Sequence, residues 1–157
     1  MNKNAIHTLA SLAARRHCRG LTLVETLIAL LVLSIGLLGL ASLQTASLQF
    51  NTSSYQRTQA TILAYDMADR LRANRQAALD GAYTIGFENV PRACGAPDLN
   101  GTVPQQDVSI WRNALACRLP LSTGSIASNG NEFIVTVRWD DTQGREAPLL
   151  FQMTTAL

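Results

Sequence analysis

The feature that most constrains this sequence is an apolar run near its N-terminus, which extends from Thr26 to Leu43 and contains no charged residue. As a helix, its 18 residues would be about 27 Å long, at about 1.5 Å per residue. That length is close to the thickness of the hydrocarbon core of a bilayer. The sequence therefore predicts one membrane-spanning helix, and the remaining chain has to be organised around it.

Charge is distributed unevenly on the two sides of this run. Residues 1–20 carry +4 from Lys3, Arg15, Arg16 and Arg19 and contain no acid, whereas residues 21–157 contain nine arginines and eleven acids and carry −2. A basic flank before an apolar helix stays in the cytoplasm, so the C-terminal side should lie across the membrane. We therefore predict a cytoplasmic leader (1–20), a membrane segment (21–44) and an extracytoplasmic domain (45–157). The slightly acidic domain argues against a basic nucleic-acid-binding surface.

The helical pattern continues beyond the membrane segment, without a proline, from Leu21 to Ala73. Its second half is amphipathic. The apolar stripe, at spacings of three and four, consists of Ala60, Leu63, Ala64, Met67 and Leu71. The opposite face places Asp66 four residues before Arg70 and Asp69 three residues before Arg72, spacings that support a helix. The stripe needs a folded partner to cover it.

The C-terminal half of the chain predicts a long loop, a short helix and a small sheet. Residues 81–106 are rich in Gly, Pro, Asn and Asp, and Asp107 is placed to cap a helix that ends near Leu119. Strands are expected at 124–128, 132–139 and 148–155, with a turn at Asn129-Gly130. The predicted fold class is α+β, with a small antiparallel sheet packed on the amphipathic half of the long helix.

The cysteines fit an oxidising compartment. Cys18 lies in the leader, which leaves Cys94 and Cys117 as the pair in the domain. Two cysteines in such a compartment most often form a disulfide, although two separate buried thiols are the alternative. With 22 residues between them, the bond would contribute about 3 kcal/mol by the chain-entropy relation.

Enzymatic chemistry has little support in this composition. The two histidines, His7 and His17, both lie in the leader, so the remaining chain offers no histidine for acid–base, nucleophilic or metal chemistry. The acids of the domain have no recognisable catalytic spacing; they include Asp98, Asp107, Glu132, Asp140 and Asp141. The loop around Asp140 also lacks the repeat of oxygen ligands that a dedicated calcium loop has. We expect no enzyme activity, no metal and no cofactor.

Glu25 is the residue that needs an explanation, because an acid near the start of a membrane helix is costly and is by default functional. Two alternatives to an assembly function are open. The carboxylate could be solvated at interface depth, or the segment could be a secretory signal cut at the small residues of Gly39-Leu40-Ala41. A charge inside the apolar region and the helical pattern beyond the cut both argue against a secretory signal.

Gly20 followed by LTLVE resembles the type IV prepilin signature. The resemblance implies a type IV pilin-like fold and cleavage by a membrane prepilin peptidase between Gly20 and Leu21. It also implies N-methylation of Leu21 and a salt bridge in assembly through Glu25. The family more often has phenylalanine at the position of Leu21, and its leaders are commonly shorter than these 20 residues.

A narrower resemblance is to PilV-type minor pilins, the type IV pilus modification proteins. It rests on the run ATILAYDMADRLRANR at 60–75, the segment from Trp111 to LPLSTGSI, and EFIVTVRWDD. It implies a low-abundance subunit in a bacterial inner membrane with its domain in the periplasm. The subunit would be incorporated into the pilus, with the tip as one location that the resemblance allows. Its partners would be the prepilin peptidase, other minor pilins, the major pilin and the inner-membrane assembly platform.

This resemblance implies roles in the initiation of pilus assembly and thereby in adhesion, twitching motility or DNA uptake. Two alternatives stay open. A minor pseudopilin of a type II secretion system would share the fold, the processing and Glu25, and the 60–75 run favours the pilus assignment. A single-span anchored domain that never polymerises would leave Glu25 without a purpose.

Overall fold

The computed structural model describes residues 22–142 and 144–157. In chain order the elements are α1 (Leu23–Ala73), α2 (Arg75–Leu79), α3 (Val103–Arg118), β1 (Thr123–Asn129), β2 (Glu132–Trp139) and β3 (Leu149–Ala156). The described chain divides into two units, one that ends at Gln44 and one that comprises Thr45–Leu157, and α1 begins in the first and ends in the second. The long N-terminal helix and the small sheet confirm the predicted α+β class.

The three strands form one antiparallel sheet in the order β1-β2-β3. The β1–β2 hairpin pairs Asn129 with Glu132, so the two-residue turn is Gly130-Asn131 and not the predicted Asn129-Gly130. Gly130 has φ +61°, which a glycine adopts without steric cost. The turn therefore lies one residue later, because β1 extends through Asn129.

The core of the second unit is built from α1, α3 and the sheet. The predicted stripe of α1 is buried. β2 alternates as its sequence predicts, with Phe133, Val135, Val137 and Trp139 buried and the residues between them partly exposed. From α3, the core receives Val108, Trp111 and Leu115. Burial of these large side chains provides most of the driving force for folding this unit.

Trp111 fixes the distance between α1, α3 and the sheet. Its indole Nε1–H donates to the carbonyl oxygen of Leu63 in α1 at 2.8 Å, which satisfies a polar group that is otherwise fully buried. Against β1, the Trp111 ring lies directly over Gly124. A methyl group at that position would lie 2.6 Å from Trp111 Cζ3 and 2.8 Å from Leu115 Cδ1, so the backbone approaches this closely only because Gly124 has no side chain.

One helix boundary differs from the prediction. α3 begins at Val103 and not at Asp107. The start is set by Thr102, whose N–H donates to Gln105 Oε1 at 2.9 Å, and by Pro104 in the first turn, where the missing N–H of a proline has no cost. Asp107 is therefore inside the helix, and its carboxylate is free for long-range contacts.

Candidate assembly site in the N-terminal helix

Glu25 lies in the first turn of α1. Thr22 precedes the helix, and its Oγ1 accepts a hydrogen bond from the Glu25 backbone N–H at 3.2 Å, while its carbonyl oxygen accepts one from Thr26 Oγ1 at 3.3 Å. Thr22 therefore caps the helix, and an acid three residues after such a cap faces the positive end of the helix dipole. The local sequence thus makes the start of the helix stable by itself and places the carboxylate there.

The Glu25 carboxylate has no hydrogen bond or ion pair with any residue in 22–142 or 144–157. In the sequence, the next charged residue after it is Arg57. Any cation that pairs with this carboxylate therefore has to come from outside the described part of this chain. The two positions predicted to accompany Glu25, the cleavage residue Gly20 and the methylated residue Leu21, lie outside the described residues.

The helix that follows Glu25 is apolar around its whole circumference up to Gln44. No residue from 23 to 44 is buried by the chain itself. The one hydroxyl in the middle of this segment, Ser34 Oγ, donates to the Leu30 carbonyl oxygen at 2.7 Å, so the helix satisfies its own polar group. Such a surface has to be covered by lipid or by other apolar helices.

Gly36 and Gly39 lie in this apolar segment, and α1 continues through both without a break. A side chain added at either position would meet nothing within 4 Å. The helix is therefore not unwound at these glycines, and a close approach by another helix is sterically available at both.

In the second unit, a polar network joins α1 to α3. Arg70 Nε pairs with Asp66 Oδ2 at 3.0 Å, as the spacing predicts, and Arg70 Nη1 pairs with Asp107 Oδ1 at 2.7 Å. Asp107 Oδ2 accepts a second hydrogen bond, at 2.6 Å, from the hydroxyl of the fully buried Tyr83. Burial and then this hydrogen bond raise the pKa of Tyr83 to about 12. The network therefore fixes the Tyr83 side chain between the end of α1 and α3.

The other arginines of the 60–75 run also make contacts inside this unit. Arg72 pairs with Asp69 at 2.8 Å and donates to Thr155 Oγ1 in β3 at 2.6 Å. Arg75 donates to the carbonyl oxygen of Leu157 at 3.2 Å. The 60–75 run therefore has a structural role, because its arginines attach the end of α1 to α3 and to β3.

Cys94 and Cys117 form a disulfide with a Cα–Cα distance of 4.6 Å. It connects the loop that follows α2 to the last turn of α3. Two hydrogen bonds reinforce the same attachment: Gly95 N–H to Asn113 Oδ1 at 3.0 Å and Asp98 N–H to Ser109 Oγ at 2.7 Å. The loop is thus fixed along the length of α3.

The carboxylate of Asp140 is used in folding the 140–146 loop. One carboxylate oxygen of Asp140 accepts hydrogen bonds from the backbone N–H and the hydroxyl of Thr142, both at 2.9 Å, and the other accepts one from the Gly144 N–H at 2.6 Å. Across residues 22–142 and 144–157, no group of three or more His, Cys, Asp or Glu side chains is placed to hold a metal ion.

The comparisons with known proteins place one motif on this helix. Residues 15–41 match the family model described as the prokaryotic N-terminal methylation motif, and this stretch includes Gly20, Leu21 and Glu25. No curated protein and no solved structure matches the chain. The type IV prepilin-like character of the N-terminus is therefore confirmed. The motif implies processing by prepilin peptidase and assembly by pilus or pseudopilus machinery, and no comparison shows a specific similarity to PilV-type pilins.

Proposed function

We propose that this chain is a minor subunit of type IV pili, cleaved after Gly20 by prepilin peptidase, methylated at Leu21, and incorporated into the fibre through Glu25. The observation that carries the proposal is the Glu25 carboxylate, which begins an apolar helix inside the methylation motif and has no partner in the described chain. In this role, the chain remains in the inner membrane with residues 45–157 in the periplasm until it is assembled.

The chemistry of assembly follows from cleavage. Hydrolysis after Gly20 releases a new amine at Leu21, and methylation leaves that amine cationic. Within one subunit, the amine and the carboxylate are four residues apart. In a bundle of helices, the Glu25 carboxylate of one subunit pairs with the amine of its neighbour, so that neither charge is buried alone. Because the pair forms at one axial offset only, it sets the register between subunits.

The apolar surface from Leu23 to Gln44 supports the same role. In the membrane it is covered by lipid, and in a fibre it is covered by the equivalent helices of neighbouring subunits. Transfer from one to the other requires no refolding, since the helix satisfies its own backbone hydrogen bonds and the Ser34 hydroxyl. The partners of the chain in this role are the other minor pilins, the major pilin and the assembly platform.

The test is Glu25→Ala, with Glu132→Ala as the matched control, because Glu132 is an exposed acid in the domain. Loss of one partner of a buried ion pair costs about 3–5 kcal/mol, so Glu25→Ala should lower incorporation into sheared pili by roughly a hundredfold or more. Cleavage at Leu21 should be unchanged in both variants. Wild-type incorporation of Glu25→Ala would refute the role of Glu25.

A pseudopilin of a type II secretion system has the same processing and the same use of Glu25. The contacts of Arg70, Arg72 and Arg75 explain the 60–75 run by folding alone. Recovery of the chain from sheared surface pili, together with pilus genes adjacent to its own, would support the pilus assignment. Retention of the chain in the inner membrane of a piliated cell would support the assignment as a pseudopilin of a type II secretion system. If Glu25→Ala also has no effect, retention would instead support an anchored domain that never polymerises.

A further inference from the structure

The two edges of the sheet are treated differently by the chain. Along β1, the segment after α2 covers part of the edge. Ile85 and Ile126 exchange two backbone hydrogen bonds, of 3.0 and 2.9 Å, and the Glu88 N–H donates to Thr123 Oγ1 at 3.0 Å. The segment after α2 therefore occupies part of the β1 edge. Coverage of an edge strand by a loop prevents unwanted pairing with another strand.

The opposite edge, β3, has no such cover within the described residues. The Leu157 N–H donates to the Asn131 carbonyl oxygen of the β2 side at 3.0 Å. Because backbone groups alternate along a strand, odd-numbered residues of β3 face β2 and even-numbered ones face away. The outward-facing residues are Leu150, Gln152, Thr154 and Ala156. Their N–H and C=O groups make no hydrogen bond with residues 22–142 or 144–157.

The sequence of β3 also lacks the features that normally block such an edge. LLFQMTTA contains no charged residue, no proline and no glycine. Natural edge strands that have to remain unpaired use lysine, proline, a bulge or very short length. An eight-residue uncharged strand is long enough to pair along its whole length.

The core is incomplete at the same edge. On β2, Phe133, Val135 and Val137 are fully buried, whereas their neighbours on the same face of β3, Phe151 and Met153, remain partly exposed. A fourth strand beside β3 would place every second side chain next to Phe151 and Met153 and cover them. An added strand would therefore cover the partly exposed Phe151 and Met153 and would also pair with the outward-facing backbone groups of β3.

We propose that β3 accepts an extended strand from a different subunit of the same fibre, which adds a fourth strand to the sheet. Alternating N–H and C=O groups at a two-residue repeat match another strand and not a helix or a small ligand. The added strand is uncharged where it lies against β3 and apolar on the face toward Phe151 and Met153. This inference rests on the proposed function, since it needs a neighbouring subunit.

The direct test is amide hydrogen exchange, resolved by residue, on the full chain in detergent and in sheared pili. In the free chain, the amides of Phe151, Met153 and Thr155 should be protected by β2, while those of Gln152 and Thr154 exchange freely. In the fibre, the two outward amides should slow by at least about tenfold, the scale on which a formed backbone hydrogen bond protects an amide. Unchanged exchange of Gln152 and Thr154 in the fibre overturns the inference.

Gln152→Pro gives a second test with Gln152→Ala as its control. Proline removes an outward N–H only, and it is tolerated in an edge strand whose N–H faces solvent. Both variants should keep the wild-type tryptophan fluorescence of the folded domain, and Gln152→Pro alone should lose incorporation by about tenfold or more, since it blocks strand addition. Equal incorporation overturns the inference, and the exchange experiment decides it if Gln152→Pro does not fold.

The occupant is identified with a photo-reactive amino acid at Thr154. A cross-link to another pilin subunit supports the inference, and a cross-link between two copies of this chain contradicts it. Failure of the proposed function can be distinguished from failure of this inference alone. If the wild-type chain is absent from sheared pili, the proposed function and this inference both fail; if it is present with unprotected outward amides, this inference alone fails.

Discussion

Replacement of Asp107 by alanine should be among the most destabilising single changes at a polar residue of the domain. Two carboxylates pair with arginines of α1 at almost the same distance: Asp107 with Arg70 at 2.7 Å and Asp69 with Arg72 at 2.8 Å. Their surroundings differ, because the Asp107 side chain is 17% exposed and that of Asp69 is 71% exposed. If burial and not distance sets the energy, Asp107→Ala and Asp69→Ala should differ widely.

The magnitude follows from the groups left behind. Asp107→Ala leaves the buried Tyr83 hydroxyl without its acceptor, which costs about 1–3 kcal/mol, and removes a charge-assisted hydrogen bond worth about 1.5–3 kcal/mol. Arg70 keeps Asp66 at 3.0 Å and is itself 27% exposed, so we take the lower part of the combined range, about 3 kcal/mol. An exposed pair such as Asp69–Arg72 contributes about 0.5 kcal/mol or less.

The assay is urea unfolding of the full chain in detergent, followed by tryptophan fluorescence. Trp111 and Trp139 are both buried in the domain, so their signal reports on it and not on the membrane helix. Adding Tyr83→Phe to Asp107→Ala removes the orphaned hydroxyl and should recover about 1 kcal/mol, a coupling that a double-mutant cycle detects. Equal losses for Asp107→Ala and Asp69→Ala, or no recovery in the double variant, would refute this reasoning.

Three further predictions concern the same domain. Because the pKa of Tyr83 is raised to about 12, the contribution of its protonated hydroxyl to stability is complete below pH 10 and is lost as the pH rises toward 12. We expect the free energy of unfolding, measured in urea, to fall by about 1.4 kcal/mol at pH 11. The Tyr83→Phe variant should not show this loss. Gly124→Ala should destabilise by about 1–3 kcal/mol through overpacking against Trp111, and recovery in Gly124→Ala/Trp111→Phe would identify that ring as the cause. Reduction of the Cys94–Cys117 bond should cost about 3 kcal/mol, and two thiols alkylated without reductant in periplasmic protein would contradict the bond.

Local patterns in the sequence are sufficient for most of the fold. The stripe from Ala60 to Leu71 and the alternation from Phe133 to Trp139 each repeat with the period of one element, so they predict both the element and its buried face. Glu25 stands out for a different reason. A lone acid in an apolar helix is chemically out of place, and this is visible without any knowledge of its surroundings.

Features that depend on distant residues are not visible in this way. Asp is common as a helix cap, so the sequence predicts that role for Asp107, while the start of α3 is fixed by Thr102, inside a Gly- and Pro-rich stretch that favours a loop. The actual contacts of Asp107 are with Arg70, 37 residues earlier, and with Tyr83, 24 residues earlier. No periodic pattern records such pairs, because they are created by tertiary packing.

The free edge of β3 belongs to the same class of feature. Its strand is visible in the sequence, but whether its outer backbone groups are paired depends on the strand order and on where the segment around Ile85 lies. Only the folded sheet shows that β1 is covered and that β3 has no such cover among residues 22–142 and 144–157. Partner surfaces of this kind are therefore accessible from structure and not from composition.

The intact mass and N-terminal fragment spectrum of the protein purified from its native membrane test the central claim most directly. A chain that begins at methylated Leu21 is the predicted result, since it shows cleavage after Gly20 and leaves the amine that Glu25 requires. A chain that begins at Ser42 would indicate a secretory signal and would contradict the assembly role. A chain that still begins at Met1 would contradict processing and leave a plain membrane anchor.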